Sequence, residues 1–139
     1  MIDEVKLNLK LRSVFDVGTP PSRKCTDDSS WDAAKFIRST FDGKTWLEVD
    51  CSNWDSEIFN EALYYFSEEC LSYYFPAFIK WLVACDDDCD AVRDSFISNF
   101  ETTGKAMVFN LGKPFRTVKF NNEQTNTIQY ILLAVYESS

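Results

Sequence analysis

Residues 54–85, "WDSEIFNEALYYFSEECLSYYFPAFIKWLVAC", constrain the fold more than any other part of the chain. Apolar and aromatic residues recur there every three or four positions, the period of a helix with one buried stripe. Trp54, Ile58, Ala62 and Tyr65 form one row, with Phe59, Leu63 and Phe66 beside it. Ser52 or Asn53 is placed to cap this helix. Asp55 and Glu57 fall in its first turn, where carboxylates meet the positive end of the helix dipole. The helix is predicted to run to about Tyr65. Ser67 then caps a second helix with Glu68 and Glu69 at its start. Pro76 lies inside that pattern, so it must kink the helix or divide it in two. Phe78–Ala84 is apolar on nearly every side and is predicted to be the buried central element.

Shorter patterns flank this segment. Ile2, Val5, Leu9 and Leu11 or Arg12 stand near helical spacing, with Val14 and Phe15 behind, and predict an amphipathic helix over 2–15. Leu7, Leu9 and Leu11 also alternate as a strand would. Residues 17–30 gather Gly, Pro and polar residues into a loop. Ser29 or Ser30 can cap a helix from Trp31 to about Phe41, with Ala34, Ile37 or Arg38, and Phe41 on the face of Trp31. Asp87 or Asp88 is expected to cap a helix that reaches about Phe100. Residues 101–121 hold two short apolar runs parted by Gly112 and Pro114, which predict a β-hairpin or an ordered loop. Asn121 or Asn122 caps a final helix whose core stripe is Ile128, Ile131, Leu132 and Val135. With only four Gly and four Pro in 139 residues, long helices are favoured over a many-stranded sandwich. Twelve Phe, six Tyr and four Trp exclude a disordered chain. The expected fold is mainly α: a single domain over 1–139 with five or six helices, and a short hairpin near 106–120.

The segment "ALYYFSEECLSYYFPAFIKWL" resembles a bacterial family of small cytoplasmic proteins of uncharacterised function. Its members carry a pattern like Leu-Ser-x-Glu-x-x-x-Tyr-Tyr-Leu-Pro-Ala-Phe/Tyr. The matching residues are Phe66, Ser67, Glu69, Tyr73, Tyr74, Phe75, Pro76, Ala77 and Phe78. Trp46–Val49 matches a preceding Trp motif, and Phe120, Asn121, Gln124, Ile128 and Tyr130–Leu132 match a C-terminal one. The chain departs from the pattern by using Phe at both Leu positions and Asn at the last cap. The resemblance implies a mostly helical fold and no activity. In size and charge the chain is also similar to immunity proteins that accompany bacterial toxins, including those of contact-dependent inhibition systems. Physically, Pro76 releases the carbonyl near Ser72 from its helical bond, leaving it to a tyrosine hydroxyl or a water.

Charge narrows the range of partners. Between Asp42 and Asp94 stand thirteen acids against three bases, a net −10. The rest of the chain, from a total of −8, carries +2. Such a field repels nucleic acid and anionic membranes and draws in a basic protein. No apolar run reaches the roughly 20 residues of a membrane span. The first residues mix charges with apolar side chains and do not read as a secretory signal, so a cytoplasmic location is expected by default.

The chain has no His, which excludes Ser-His-Asp and Cys-His catalysis. It has no phosphate loop or nucleophile motif. Five cysteines without a signal peptide are expected to be reduced thiols. In "WLVACDDDCD", Cys85 and Cys89 would share a face on one continuous helix, but their spacing is atypical of structural zinc and the aspartates suppress a thiolate. The acids 86, 87, 88, 90 and 94 lack the glycine and the final bidentate Glu of a calcium loop. No cofactor and no metal are expected.

These readings converge on a small acidic protein-binding protein with no enzymatic activity. Its concrete form is an immunity protein that blocks the basic active-site surface of a toxin, with a nuclease as the expected target. The partner-binding residues expected are Asp86, Asp87, Asp88 and Asp90, then Asp50, Asp55 and Glu57, with Trp54 or Tyr73 as aromatic anchor. Two alternatives stand beside it: a solitary regulatory or housekeeping helical protein, and a metal-dependent enzyme.

Overall fold

The computed structural model describes residues 3–21, 32–50, 54–85, 90–103, 106–111 and 116–137. Among them the elements run α1 (Glu4–Val14), α2 (Asp32–Phe41), α3 (Ser56–Tyr65), α4 (Glu68–Ala84), α5 (Asp90–Ile97), β1 (Phe100–Thr103), β2 (Ala106–Leu111), β3 (Arg116–Lys119) and α6 (Asn122–Glu137). Helix dominates, as expected, but the sheet has three strands and is larger than the hairpin expected near 106–120. The chain forms two compact units: Val17–Trp81, and Met1–Asp16 with Leu82–Ser139.

The first unit is built on rings. Phe41 at the end of α2 meets Phe66, Tyr74 and Trp54 at centroid separations of 4.8, 5.0 and 5.0 Å. Phe78 touches Phe41, Trp54, Phe59 and Phe66. Phe59 stacks on Trp81 at 4.3 Å. Most of these contacts are edge-on or tilted, the arrangements favoured by the ring quadrupole. Burying each such side chain stabilises the fold by roughly 1.5–3 kcal/mol. Ala34, Ile37 and Phe41 of α2 are buried together, as their spacing predicted.

Ser67 caps α4 as expected, its Oγ accepting from the Cys70 amide at 3.2 Å. The helix then runs through Pro76 without dividing. Of the element Phe78–Ala84 predicted to be buried, residues 78–82 are buried, while Val83 is half-buried and Ala84 is exposed. The Tyr73 and Tyr74 hydroxyls reach carbonyls outside α4. Tyr74 donates toward the carbonyls of Phe41 and Lys44, at 2.7 and 2.6 Å. Tyr73 donates to Val17 at 2.7 Å and accepts from the Trp46 amide at 3.3 Å. Both therefore hold loop backbone against the helix.

The second unit joins helices to the sheet. In α1 the buried face is Leu7 and Leu11, followed by Phe15, while Val5 and Leu9 are 70% and 62% exposed. The stripe predicted through Val5 and Leu9 is thus corrected: the i, i+4 pair of leucines two residues on faces inward. Asp3 caps this helix through the Lys6 amide. The α5 helix ends at Ile97, short of the expected Phe100. Asn99 ends it by bonding the Ser95 carbonyl through its side chain, and Phe100 instead opens β1.

The strands pair antiparallel in the order β1-β2-β3, with Phe100 opposite Phe109 and Phe109 opposite Val118. That face carries Met107, Phe109 and Val118 into the core, where Phe96 meets Phe109 at 4.7 Å. The other face carries Glu101, Val108, Asn110, Thr117 and Lys119. There the Asn110 side chain donates to Glu101 at 2.6 Å and accepts from Thr117 at 2.7 Å. Asn121 caps α6 in a reciprocal box with Gln124, whose side chain also donates to the Val14 carbonyl at 3.1 Å. Ile128, Ile131 and Val135 are buried as predicted, and Leu132 is half-buried. The expected caps at Ser29, Ser30, Ser52, Asn53, Asp87 and Asp88 lie outside the described residues.

Candidate partner-binding face

Between Lys44 and Lys80 the chain has seven acids and no base. Glu48, Asp50, Asp55, Glu57, Glu68 and Glu69 are exposed and Glu61 is half-buried. These positions follow from the apolar pattern: once the rings claim the inner faces of α3 and α4, the intervening carboxylates face water. The three bases of the acidic stretch are disposed differently. Lys44 is exposed, but Lys80 and Arg93 are only 8% and 7% exposed. Lys80 Nζ lies 3.4 Å from the Leu47 carbonyl. Arg93 donates to the carbonyls of Leu82 and Cys85 at 3.0 and 3.2 Å, satisfying the end of α4 where helical carbonyls lack partners.

Asp90 opens α5 and is exposed, with Oδ1 3.5 Å from Arg93 Nη1. Asp86, Asp87 and Asp88 lie outside the described residues. Asp50 and Asp55 are exposed, and Glu57 is exposed in the first turn of α3. Asp50, Asp55 and Glu57 belong to the first unit and Asp90 to the second.

The expected aromatic anchors are placed otherwise. Trp54 is 6% exposed, packed on Phe41 and Phe78, and its carbonyl accepts from the Trp81 indole at 3.1 Å. Tyr73 is half-buried with its hydroxyl committed to Val17 and Trp46. Trp54 is a core residue, and Tyr73 is a half-buried latch. Among the described residues of this unit the exposed aromatic is Tyr64, at 54%. The sequence reading passed over it because Tyr64 sits beside Tyr65 in an apolar run. Its register gives it away: Glu57, Glu61 and Tyr64 stand at i, i+4 and i+7, opposite Phe59, Ala62, Leu63 and Phe66.

Glu48 is held by a local turn. Its Oε1 accepts from the Thr45 amide at 3.0 Å and the Thr45 hydroxyl at 2.8 Å. The backbone hydrogen bond from Thr45, then the hydroxyl bond, and lastly Lys44 draw its pKa below the ordinary 4.5, against a small opposing effect of burial.

The expectation of reduced thiols is corrected at Cys85, which is disulfide-bonded. Cys70 is a buried thiol, and Cys25, Cys51 and Cys89 lie outside the described residues. α4 ends at Ala84, so Cys85 lies beyond that helix. Among the described residues no group of three or more metal-ligating side chains comes together, and no helix is long and apolar enough to cross a membrane. No family model, no curated protein and no solved structure matches this chain.

Proposed function

We propose that this chain is a small acidic protein-binding protein, and that it acts as an immunity protein. In this reading it neutralises a bacterial toxin, with a nuclease as the expected target, by covering the toxin's basic active-site surface. One observation carries the reading. The acids between Lys44 and Lys80 are almost all exposed, while two of the three bases in the −10 stretch are buried against backbone carbonyls. Carboxylates so arranged match lysines and arginines that otherwise hold phosphates, and they speed the encounter with them.

The test is capture on the immobilised protein, eluted with rising salt. The expected result is one basic protein, released as salt screens the contact, whose action on nucleic acid stops at one equivalent of this chain. Absence of any salt-released protein, or a captured nuclease that stays active, would overturn the immunity reading.

A further inference from the structure

We propose that the outer edge of strand β3 is a strand-addition site for an extended acidic segment of a partner protein. The edge lies beyond the acidic stretch that ends at Asp94, and the inference is independent of the immunity reading.

The ladder fixes which backbone groups are open. Among the described residues β3 is the last strand of the order β1-β2-β3. The Phe120 amide donates to the Met107 carbonyl at 3.1 Å, in register with the β2–β3 pairing. Backbone bonding alternates along an antiparallel pair, so Arg116, Val118 and Phe120 turn their groups toward β2. Those of Thr117 and Lys119 point away from the sheet, and no described residue bonds them. Such a row of N–H and C=O groups is a template for one more strand.

The side chains decide what that strand must be. Lys119 is exposed and makes no ion pair among the described residues. Glu101, on the same face, stands two strands away and is held by the Asn110 side chain. Between Glu101 and Glu123 the sequence has four bases and no acid. A second copy is therefore a poor occupant, because two β3 edges joined antiparallel would oppose like charges. An acidic segment meets the opposite sign. On the other face of β3, Val118 is buried. Successive side chains of a strand alternate between faces, so the fitting segment alternates too. Its carboxylates lie on the face of Lys119, and its β-branched apolar residues continue the face of Val118.

The probe is the peptide acetyl-Thr-Glu-Val-Glu-Val-Glu-Thr-amide, titrated into the full-length protein at low salt. Affinity is read by calorimetry, and the site by amide shifts and hydrogen exchange. Saturable binding is expected, with the largest shifts in residues 116–119 and new protection of the Thr117 and Lys119 amides. The same peptide with every amide nitrogen methylated keeps its charge but loses its donors, and should bind about tenfold more weakly. Lys119→Gln removes only the charge and should weaken the unmodified peptide by about threefold. Lys119→Pro also removes the outward N–H without taking a donor from the β2 ladder, and should weaken it by about tenfold. Retained protection of the Val118 and Phe120 amides verifies the sheet in both variants, and the methylated peptide decides the matter without any variant. Equal binding of the two peptides, shifts centred away from β3, or no binding of the unmodified peptide would each overturn strand addition, and each leaves the reading of the acidic face untouched.

Discussion

The two units reach stability by different means. In Val17–Trp81 the core is a network of rings in which Phe41 and Phe78 each touch four others. Its long-range polar ties also run from α4: two tyrosine hydroxyls, Lys80 and the Trp81 indole each hold backbone carbonyls. In the other unit aliphatic side chains dominate the helix faces. Polar side chains fasten one element to the next: Gln124 ties α6 to the end of α1, the Met107 amide donates to Thr125, and Arg93 closes α4. The first arrangement writes its structural residues into the helical period. The second depends on single polar residues whose partners are far off in sequence.

If rings dominate the first unit, Phe78→Ala should have the largest effect of any single change there. Phe78 is fully buried among four rings that cannot easily collapse into the vacated space. A loss of about 3–5 kcal/mol is expected in urea unfolding. A loss below about 1.5 kcal/mol would mean that the network repacks, and the contrast between the units would weaken.

Arg93→Met probes the second unit's dependence on one polar residue. It preserves much of the volume but leaves the Leu82 and Cys85 carbonyls without their donor. Stability should fall by about 1.5–3 kcal/mol, the range for hydrogen bonds to charged groups. A neutral outcome would show that water replaces the guanidinium at the end of α4, and that this unit also rests on its apolar contacts.

Tyr74→Phe separates ring from hydroxyl within the first unit. The ring and its contacts remain, and only the bonds to Phe41 and Lys44 are lost. The expected cost is about 1–2 kcal/mol, smaller than that of Phe78→Ala. A cost equal to that of Phe78→Ala would make the hydroxyl latch as important as the ring network.

This contrast explains what was legible in the sequence. The helices α2, α3 and α4 and their buried faces could be read from Ala34, Ile37, Phe41, Phe59, Ala62 and Phe66, because ring placement follows the local period. The face of α1 was misread, since two overlapping leucine rows fit a helix equally well and only packing against the rest of the unit chooses between them. Strand β1 was missed because Phe100 continues the i+4 series of Val92 and Phe96, and nothing local announces that Asn99 will end α5. For the candidate site, the exposure of Asp50, Asp55, Glu57 and Asp90 was legible from charge. The roles of Trp54 and Tyr73 were not: the burial of Trp54 and the half-burial of Tyr73 are decided by rings and carbonyls contributed from distant segments.

The smallest expected effect concerns Glu48, and it bears on whether the acids of the first unit are purely a surface field. Its carboxylate is fully exposed, yet Thr45 holds it in a reciprocal turn and lowers its pKa. A depressed folded-state pKa means that the folded protein favours the ionised form. The stabilisation is therefore fully present above the unfolded carboxyl value and is lost as pH falls through the folded one. At neutral pH the turn is intact. An NMR titration of the Glu48 side chain should give a midpoint below 4.5, and Thr45→Ala should raise it. Should the midpoint stay at the ordinary value in both proteins, Glu48 belongs with the freely solvated acids. A lowered midpoint that Thr45→Ala restores would instead separate Glu48, bound to its own backbone, from exposed helical acids such as Glu57 and Glu68.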